Sequence, residues 1–304
     1  MADALVTPEE VRILARDRKA VIFAHNYQRA EVQAVADVVG DSLELARRSA
    51  AVDAEVIVLA GVRFMAESAA ILAPGKTVLL PRPDAGCPMA DMITAEQLAG
   101  WKAENPGVPV VMYVNSSAEV KALTDVCCTS ANAVEVVRSL GVPRVLFGPD
   151  RNLGRWIAGQ VPDVEVTVWN GCCPIHDRVS LEMVREAKAA HPGAPVIAHP
   201  ECRPEVSAEA DAVLSTSQMI RWAQKAGEPE VIVVTEGGLL TGLAKAVPDT
   251  RFVGIIPAMI CPNMKLTGLE DVRNALRDRT GQVVVPDEVA TAARASLERM
   301  TAIG

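Results

Sequence analysis

Residues 168–178 read VWNGCCPIHDR, which sets the thiols of Cys172 and Cys173 close to the imidazole of His176. Such groups bind metals or serve as nucleophile and base. Neighbouring side chains do not converge on one small target, so at most one thiol of the pair serves a given site. The chain holds seven cysteines, an odd and scattered set unlike the disulfide framework of a small secreted domain. Buried apolar thiols, a nucleophile or metal ligands are the uses left. Cys127 and Cys128, in DVCCTSANA, read as small apolar fillers between a strand and a helix. Cys202, in HPECRPEV, follows a strand and reads equally as lining the site or as packed away from it, and in neither case as a ligand. Cys87, Cys173 and Cys261 differ from these, because each is followed by proline, in CPMADM, CPIHDR and CPNMKL.

These three cysteines lie 86 and 88 residues apart, and other landmarks keep the same period. His25, Tyr113 and His199 are spaced by 88 and 86, as are Ser42, Ser130 and Thr216, while Gly61, Pro149 and Gly237 are spaced by 88 and 88. The spacing implies three homologous units of about 87 residues. Apolar runs at 20–25, 55–61, 76–81, 109–115, 144–148, 165–169, 195–200, 230–237 and 251–256 read as parallel strands buried on both faces, three to a unit. Segments such as SLELARRSAA and SLEMVREAKAA, between them, show helical spacing. The expected fold is α/β: three pseudo-threefold-related three-layer αβα domains, each with a small parallel sheet, and the active site at their central junction. The expected units are residues 1–86 with 264–304, then 87–172, then 173–263. Residues 264–304 are read as a helix, a short strand and a capping helix that return to the first unit and carry no repeat.

The net charge of -8 and pI near 5.2 leave no basic face for nucleic acid. Acids and bases precede the first apolar run, and no stretch approaches the ~20 apolar residues of a membrane span. The expectation is a cytoplasmic protein acting on small molecules. If the strand ends face inward, His25, Tyr113 and His199 ring one cavity and the three cysteines ring another part of it. Three convergent thiolates suit a soft metal, and two occupants compete: zinc with three protein ligands, or an iron–sulfur cubane whose fourth iron is open as a Lewis acid. Ser42, Ser130 and Thr216 each open an expected helix, where a hydroxyl either caps the helix or helps its N–H groups hold an anion.

At this point several long motifs, taken in order, closely resemble the quinolinate synthase family. They are AHNYQRAEVQAVADVVGDSLELA, GCPMADM, YVNSSAEVKALTDVCCTSANA, CPIH, HPEC, STSQM, TEGGLL and NMKLTGLEDVRNAL. The resemblance runs nearly end to end. It implies three pseudo-symmetric α/β domains and a 4Fe-4S cluster on three cysteines. It also implies condensation of iminoaspartate with dihydroxyacetone phosphate to quinolinate, phosphate and two waters, in the de novo route to NAD. Cys87, Cys173 and Cys261 match the cluster ligands, the second chosen over Cys172 because the family's cysteine stands three residues before a histidine. Substrate contacts are implied for His25, Ser42, Tyr113, Val114, Asn115, Ser130, His199, Pro200, Glu201 and Thr216. His176 is expected beside the Cys173 ligand, as its hydrogen-bond partner or as a further substrate contact. Glu201, in HPEC, is the candidate acid or base, with Tyr27, Tyr113 and His199 as catalytic partners. No CxxC companion stands by Cys261, so a disulfide switch there, a feature of some members, is not expected.

The resemblance further implies transient delivery of the imine by an L-aspartate oxidase. Two other classes are weighed against it: a three-cysteine radical enzyme of the diphthamide-synthesis type, which HNYQ and HPEC speak against, and a sensor that binds these substrates without turnover.

Overall fold

The computed structural model describes residues 6–304, and within them the chain forms three four-stranded parallel sheets of one topology. The first contains β1 (Ala20–His25), β2 (Val38–Gly40), β3 (Val56–Ala60) and β4 (Thr77–Leu79) in the order β2-β1-β3-β4. The second contains β5 (Val110–Tyr113), β6 (Val126–Cys128), β7 (Arg144–Gly148) and β8 (Glu165–Val168), in the order β6-β5-β7-β8. The third contains β9 (Val196–Ala198), β10 (Ala212–Val213), β11 (Glu230–Val234) and β12 (Arg251–Gly254), in the order β10-β9-β11-β12. All nine expected strands form. Each sheet adds a short edge strand, β2, β6 or β10, that apolar patterning over two or three residues does not reveal.

What fixes these short strands is a carboxylate. Asp37, Asp125 and Asp211, spaced by 88 and 86, each accept a hydrogen bond from the N–H of Ile22, Val110 and Val196 in the neighbouring strand, at 2.7, 2.8 and 2.7 Å. The strand pairing also sets the register of the repeat. Ile22 pairs with Val58, Val110 with Leu146 and Val196 with Ile232, so the third strands correspond at spacings of 88 and 86. The counterpart of Gly61 and Pro149 is therefore Thr235, and not the Gly237 expected from residue type.

Helices cover both faces of the sheets. Val56–Ala60 is fully buried, as are the second half of β1 and all of β5, and each such Val, Leu or Ile contributes roughly 1.5–3 kcal/mol by leaving water. The helices Pro8–Asp17, Ala95–Glu104 and Leu181–Ala190 lead the three units, and Leu269–Asp278 begins eight residues after Cys261, as Ala95 and Leu181 do after their cysteines. Residues 264–304 thus carry the leading helix of the repeat once more, contrary to expectation, and it packs beside Pro8–Asp17. The short strand expected there reduces to one antiparallel bridge between Gln282 and Leu79. The last helix, Asp287–Ala302, packs on β6 and helix Ala118–Ala122 of the second domain and on helix Arg63–Leu72 of the first. Among the described residues no helix is long and apolar enough to cross a membrane.

Candidate active site

The carboxyl ends of the strands of all three sheets meet at a cavity of about 1040 Å³, counting its open mouth. His25 and Tyr113 end β1 and β5, and His199 directly follows β9, so the repeat delivers all three to the cavity wall. Two residues on, at equivalent positions, stand Tyr27, Asn115 and Glu201, which also line it. The chain turns at each of these points, Gln28 N–H donating to the His25 carbonyl and Cys202 N–H to that of His199, both at 2.9 Å, and the turn brings the second residue back to the cavity. Accordingly the side chain of Val114 joins the apolar core and that of Pro200 is absent from the cavity wall. Ser42, Ser130 and Thr216 reach the cavity as expected, but they are not the helix caps. Asp41 and Ser215 cap helices Ser42–Ala51 and Thr216–Ala226, while the middle helix starts only at Ala133, after a turn tied by Thr129 and Asn132.

Cys87, Cys173 and Cys261 all line this cavity. Cys172 does not; it lies beside Arg151 and Asp177, with its own N–H towards Met92. Cys127 and Cys128 lie wholly inside the core, as expected. Cys202 is packed away from the site: it is buried under the third sheet, its thiol directed at the Val234 carbonyl 3.6 Å away, and does not line the cavity.

The three ligand candidates share a local design. Backbone N–H groups that follow each cysteine lie near its sulfur and favour the thiolate: those of Ala90 and Met89 at Cys87, of His176 at Cys173, and of Met264 and Asn263 at Cys261. The proline after each cysteine suits this turn, because it has no N–H to leave unpaired. Burial outweighs these donors and pushes the Cys87 thiol up to about 12 and Cys173 well above its ordinary range. Charges on the neighbouring cysteines add to the rise for both. Three half-buried thiols that repel as anions become thiolates together only when a cation joins them, so the donor set fits a soft metal group.

Glu201 is the hub of the polar wall. One oxygen accepts from the Tyr113 hydroxyl at 2.6 Å, and the other lies 2.7 Å from Nδ1 of His176 and 3.8 Å from Nδ1 of His199. Burial opposes its charge, but His176, His199 and the donors His176 and Tyr113 outweigh it and hold the carboxyl below the ordinary range. His176 extends the chain: its Nδ1 is 3.2 Å from the Cys173 sulfur, its Nε2 is 2.9 Å from the Thr235 hydroxyl, and Thr235 is 2.7 Å from the Tyr27 hydroxyl. The rings of His176 and His199 stack with centroids 4.7 Å apart. Burial pushes His25 down to about 4 and His199 down to about 3, so both are neutral near pH ~7. Tyr27 and Tyr113 are raised, first by burial and then by the charge of Glu201. Asn115 lines the cavity, and its side-chain oxygen is buried without a partner among the described residues.

Several functional positions escape a reading by residue type. Thr235 joins His176 to Tyr27, and Glu236 and Lys265 form an ion pair of 2.9 Å beside Cys261. Lys265 also donates to the Tyr27 carbonyl. A Cβ at Gly238 would meet that carbonyl at 2.6 Å, so the third domain approaches the first there backbone to backbone. The period itself was the available signal, because Thr235 and Glu236 occupy the register of Gly61 and Val62 in the first sheet.

With this geometry in place, comparison with known proteins is informative. Residues 9–302 match the family model described as quinolinate synthetase A protein. A quinolinate synthase of Geobacter sp. (strain M21) is 53% identical over 294 residues, covering 97% of this chain and 96% of the relative. One from Thermodesulfovibrio yellowstonii is 51% identical over 294 residues, with 97% of each chain covered. One from Methanoregula boonei is 51% identical over 303 residues, covering 100% of each. A cavity built by three repeats, with one cysteine from each, is thus carried by a chain that matches these proteins along nearly its whole length, and the chain belongs to the quinolinate synthetase A protein family.

Proposed function

We propose that this enzyme condenses iminoaspartate with dihydroxyacetone phosphate to give quinolinate, phosphate and two waters. The observation that carries the reading is the convergence of Cys87, Cys173 and Cys261 on one cavity beside the Glu201 network. The cysteines would hold a 4Fe-4S cluster by three thiolates, and no fourth cysteine lines the cavity among the described residues. When bound, such a cluster supplies an iron without a protein ligand, a Lewis acid for oxygen atoms.

The chain's own residues account for the rest. Both substrates are anionic, and Ser42 and Thr216 stand in the first turns of helices whose free N–H groups favour anions. Neutral His25 and His199 line the same wall, His199 with its Nε2 3.2 Å from the Ser130 hydroxyl. Ionised Glu201 suits the removal of a proton at carbon, and the Tyr113 hydroxyl on its other oxygen suits the return of one to a leaving hydroxyl. Tyr27 aligns through Thr235 with His176, which keeps the Glu201 carboxylate oriented. The unpartnered Asn115 oxygen suits the substrate's N–H. In this reading the units are residues 1–86 with 264–304, 87–172 and 173–263, with Cys87 and Cys173 opening the second and third units and Cys261 near the end of the third; the enzyme works in the cytoplasm and receives its unstable imine from an L-aspartate oxidase.

A narrower reading rests on Cys173, His176 and Glu201, whose ligating atoms lie within 4.8 Å of one another and suit a single zinc ion. It leaves Cys87 and Cys261 without a part, which favours the cluster. Absorption and metal content of anaerobically purified protein decide between them: a brown protein with about four irons per chain supports the cluster, and a colourless one with a single zinc overturns it. Quinolinate formation from the two substrates tests the reaction, and full turnover by Cys173→Ser would sink the assignment.

A further inference from the structure

We propose that Asp150 and Glu236 are positioning residues for two of the three metal-binding cysteines. Each carboxylate ties the peptide N–H of its cysteine, Cys173 or Cys261, to the start of the helix that follows the third strand of its sheet. The inference rests on the reading that these cysteines hold a metal group.

The observation is one that the repeat makes three times. In every domain the N–H just past the third strand donates to the carbonyl two residues before the cysteine: Arg63 to Ala85 at 2.8 Å, Arg151 to Gly171 at 2.8 Å, and Gly237 to Met259 at 2.9 Å. This backbone bond sets the cysteine loop against the strand end. The residue before each donor occupies equivalent register and is Val62, Asp150 and Glu236. The last two add a second tie. Asp150 accepts from Leu153 N–H at 2.7 Å with one oxygen and from Cys173 N–H at 2.9 Å with the other. Glu236 accepts from Gly238 N–H at 2.7 Å and from Cys261 N–H at 3.0 Å in the same division of labour.

One oxygen suffices for the N–H at the helix start, that of Leu153 for Asp150 and that of Gly238 for Glu236. The second goes in both cases to the peptide N–H of the cysteine, although the two side chains differ in length and in charge environment, Glu236 pairing with Lys265 and Asp150 meeting backbone donors. Both are almost wholly buried, at 0% and 1% exposure, so neither tie is exchanged for water. Val62 has no acceptor to offer, so the Cys87 loop lacks this tie and serves as a control within the same chain.

An amide keeps the shape but only one acceptor. In Asp150→Asn and Glu236→Gln the remaining oxygen can keep the bond to the Leu153 or Gly238 N–H, and the NH₂ then opposes the cysteine N–H. Hydrogen exchange of the metal-free protein is read in three cysteine loops, residues 84–92, 171–177 and 259–265, for wild type and both variants. The expected result is exchange faster by roughly tenfold in the variant's own loop only, the cost of one charged hydrogen bond. Iron and acid-labile sulfide are then measured after anaerobic reconstitution, with the rate of bleaching in air. Both variants are expected to bleach several-fold faster than wild type, with Glu236→Gln releasing the Cys261 side and Asp150→Asn the Cys173 side.

Equal protection of all loops in wild type and variants, or a rise spread over all three, overturns the inference, as does faster loop exchange without faster bleaching. A wild-type protein that takes up no iron overturns the cluster reading and this inference together. Wild type that loads fully, with variants that match it, overturns this inference alone. The two sites are independent, so a variant that does not fold leaves the other to decide.

Discussion

Nδ1 of His176 lies 2.7 Å from a carboxylate oxygen of Glu201 and 3.2 Å from the sulfur of Cys173, so one imidazole edge touches both the proposed base and a proposed metal ligand. An ionised carboxylate only accepts, so this Nδ1 carries a proton and holds Glu201 in place. Glu201→Gln keeps the volume but removes the base, and kcat is expected to fall by about 10²–10⁴ with iron content unchanged. His176→Asn is expected to lower kcat less. Iron loss in Glu201→Gln comparable to that of a cysteine variant would show that Glu201 is a ligand instead.

The adjacent thiols separate cleanly. Cys173 lines the cavity while Cys172 lies on the other side of the strand end beside Arg151 and Asp177. Cys172→Ser is expected to retain iron, sulfide and turnover within about twofold of wild type, and Cys173→Ser to lose the cluster and essentially all activity. Iron analysis with the absorption spectrum checks both, and equal loss in the two variants would refute the division.

The repeated aspartates bear on stability rather than chemistry. Asp37, Asp125 and Asp211 each bond an N–H of a central strand and so pin a short edge strand. Replacing any one by alanine is expected to cost about 1–2 kcal/mol in denaturant unfolding, with asparagine restoring most of it because one acceptor suffices. Similar small losses at all three would establish a shared role; no loss at any would show the bonds to be dispensable.

How much of this was legible beforehand depends on what the repeat preserves. Nine strands announced themselves as apolar runs, although β8 and β12, at the sheet edges, are only partly buried and not covered on both faces as expected, and His25, Tyr113 and His199 because their types also recur. The three edge strands carry two or three residues each and depend on a carboxylate 15 residues from its partner N–H, a signal that hydrophobic patterning does not contain. At the third strand end the position is kept but its chemistry is not. Val62, Asp150 and Glu236 share a register without sharing a type, so matching by type passed over them and settled on Gly237, two residues late. The turns after the first strands place Tyr113, Asn115, His199 and Glu201 on the cavity wall and keep the side chains of Val114 and Pro200 off it, which family likeness alone does not distinguish.

Acid sensitivity of the metal-free protein follows from the two neutral histidines. Burial lowers His25 from 6.5 to about 4 and His199 from 6.5 to about 3, so the unfolded chain binds these protons at a higher pH than the folded one. Stability therefore rises with pH across this window: the contribution is complete above about pH 6.5 and is lost progressively as pH falls towards the folded values. At pH 5 each histidine is expected to account for a loss of about 2 kcal/mol relative to pH 7. Denaturant unfolding of wild type at pH 7 and pH 5, set against the His25→Asn and His199→Asn variants, isolates this part from the titrating carboxylates. The variants should each lose less stability over the interval than wild type does, and an identical pH dependence in all three proteins would show that neither imidazole is held neutral by the fold.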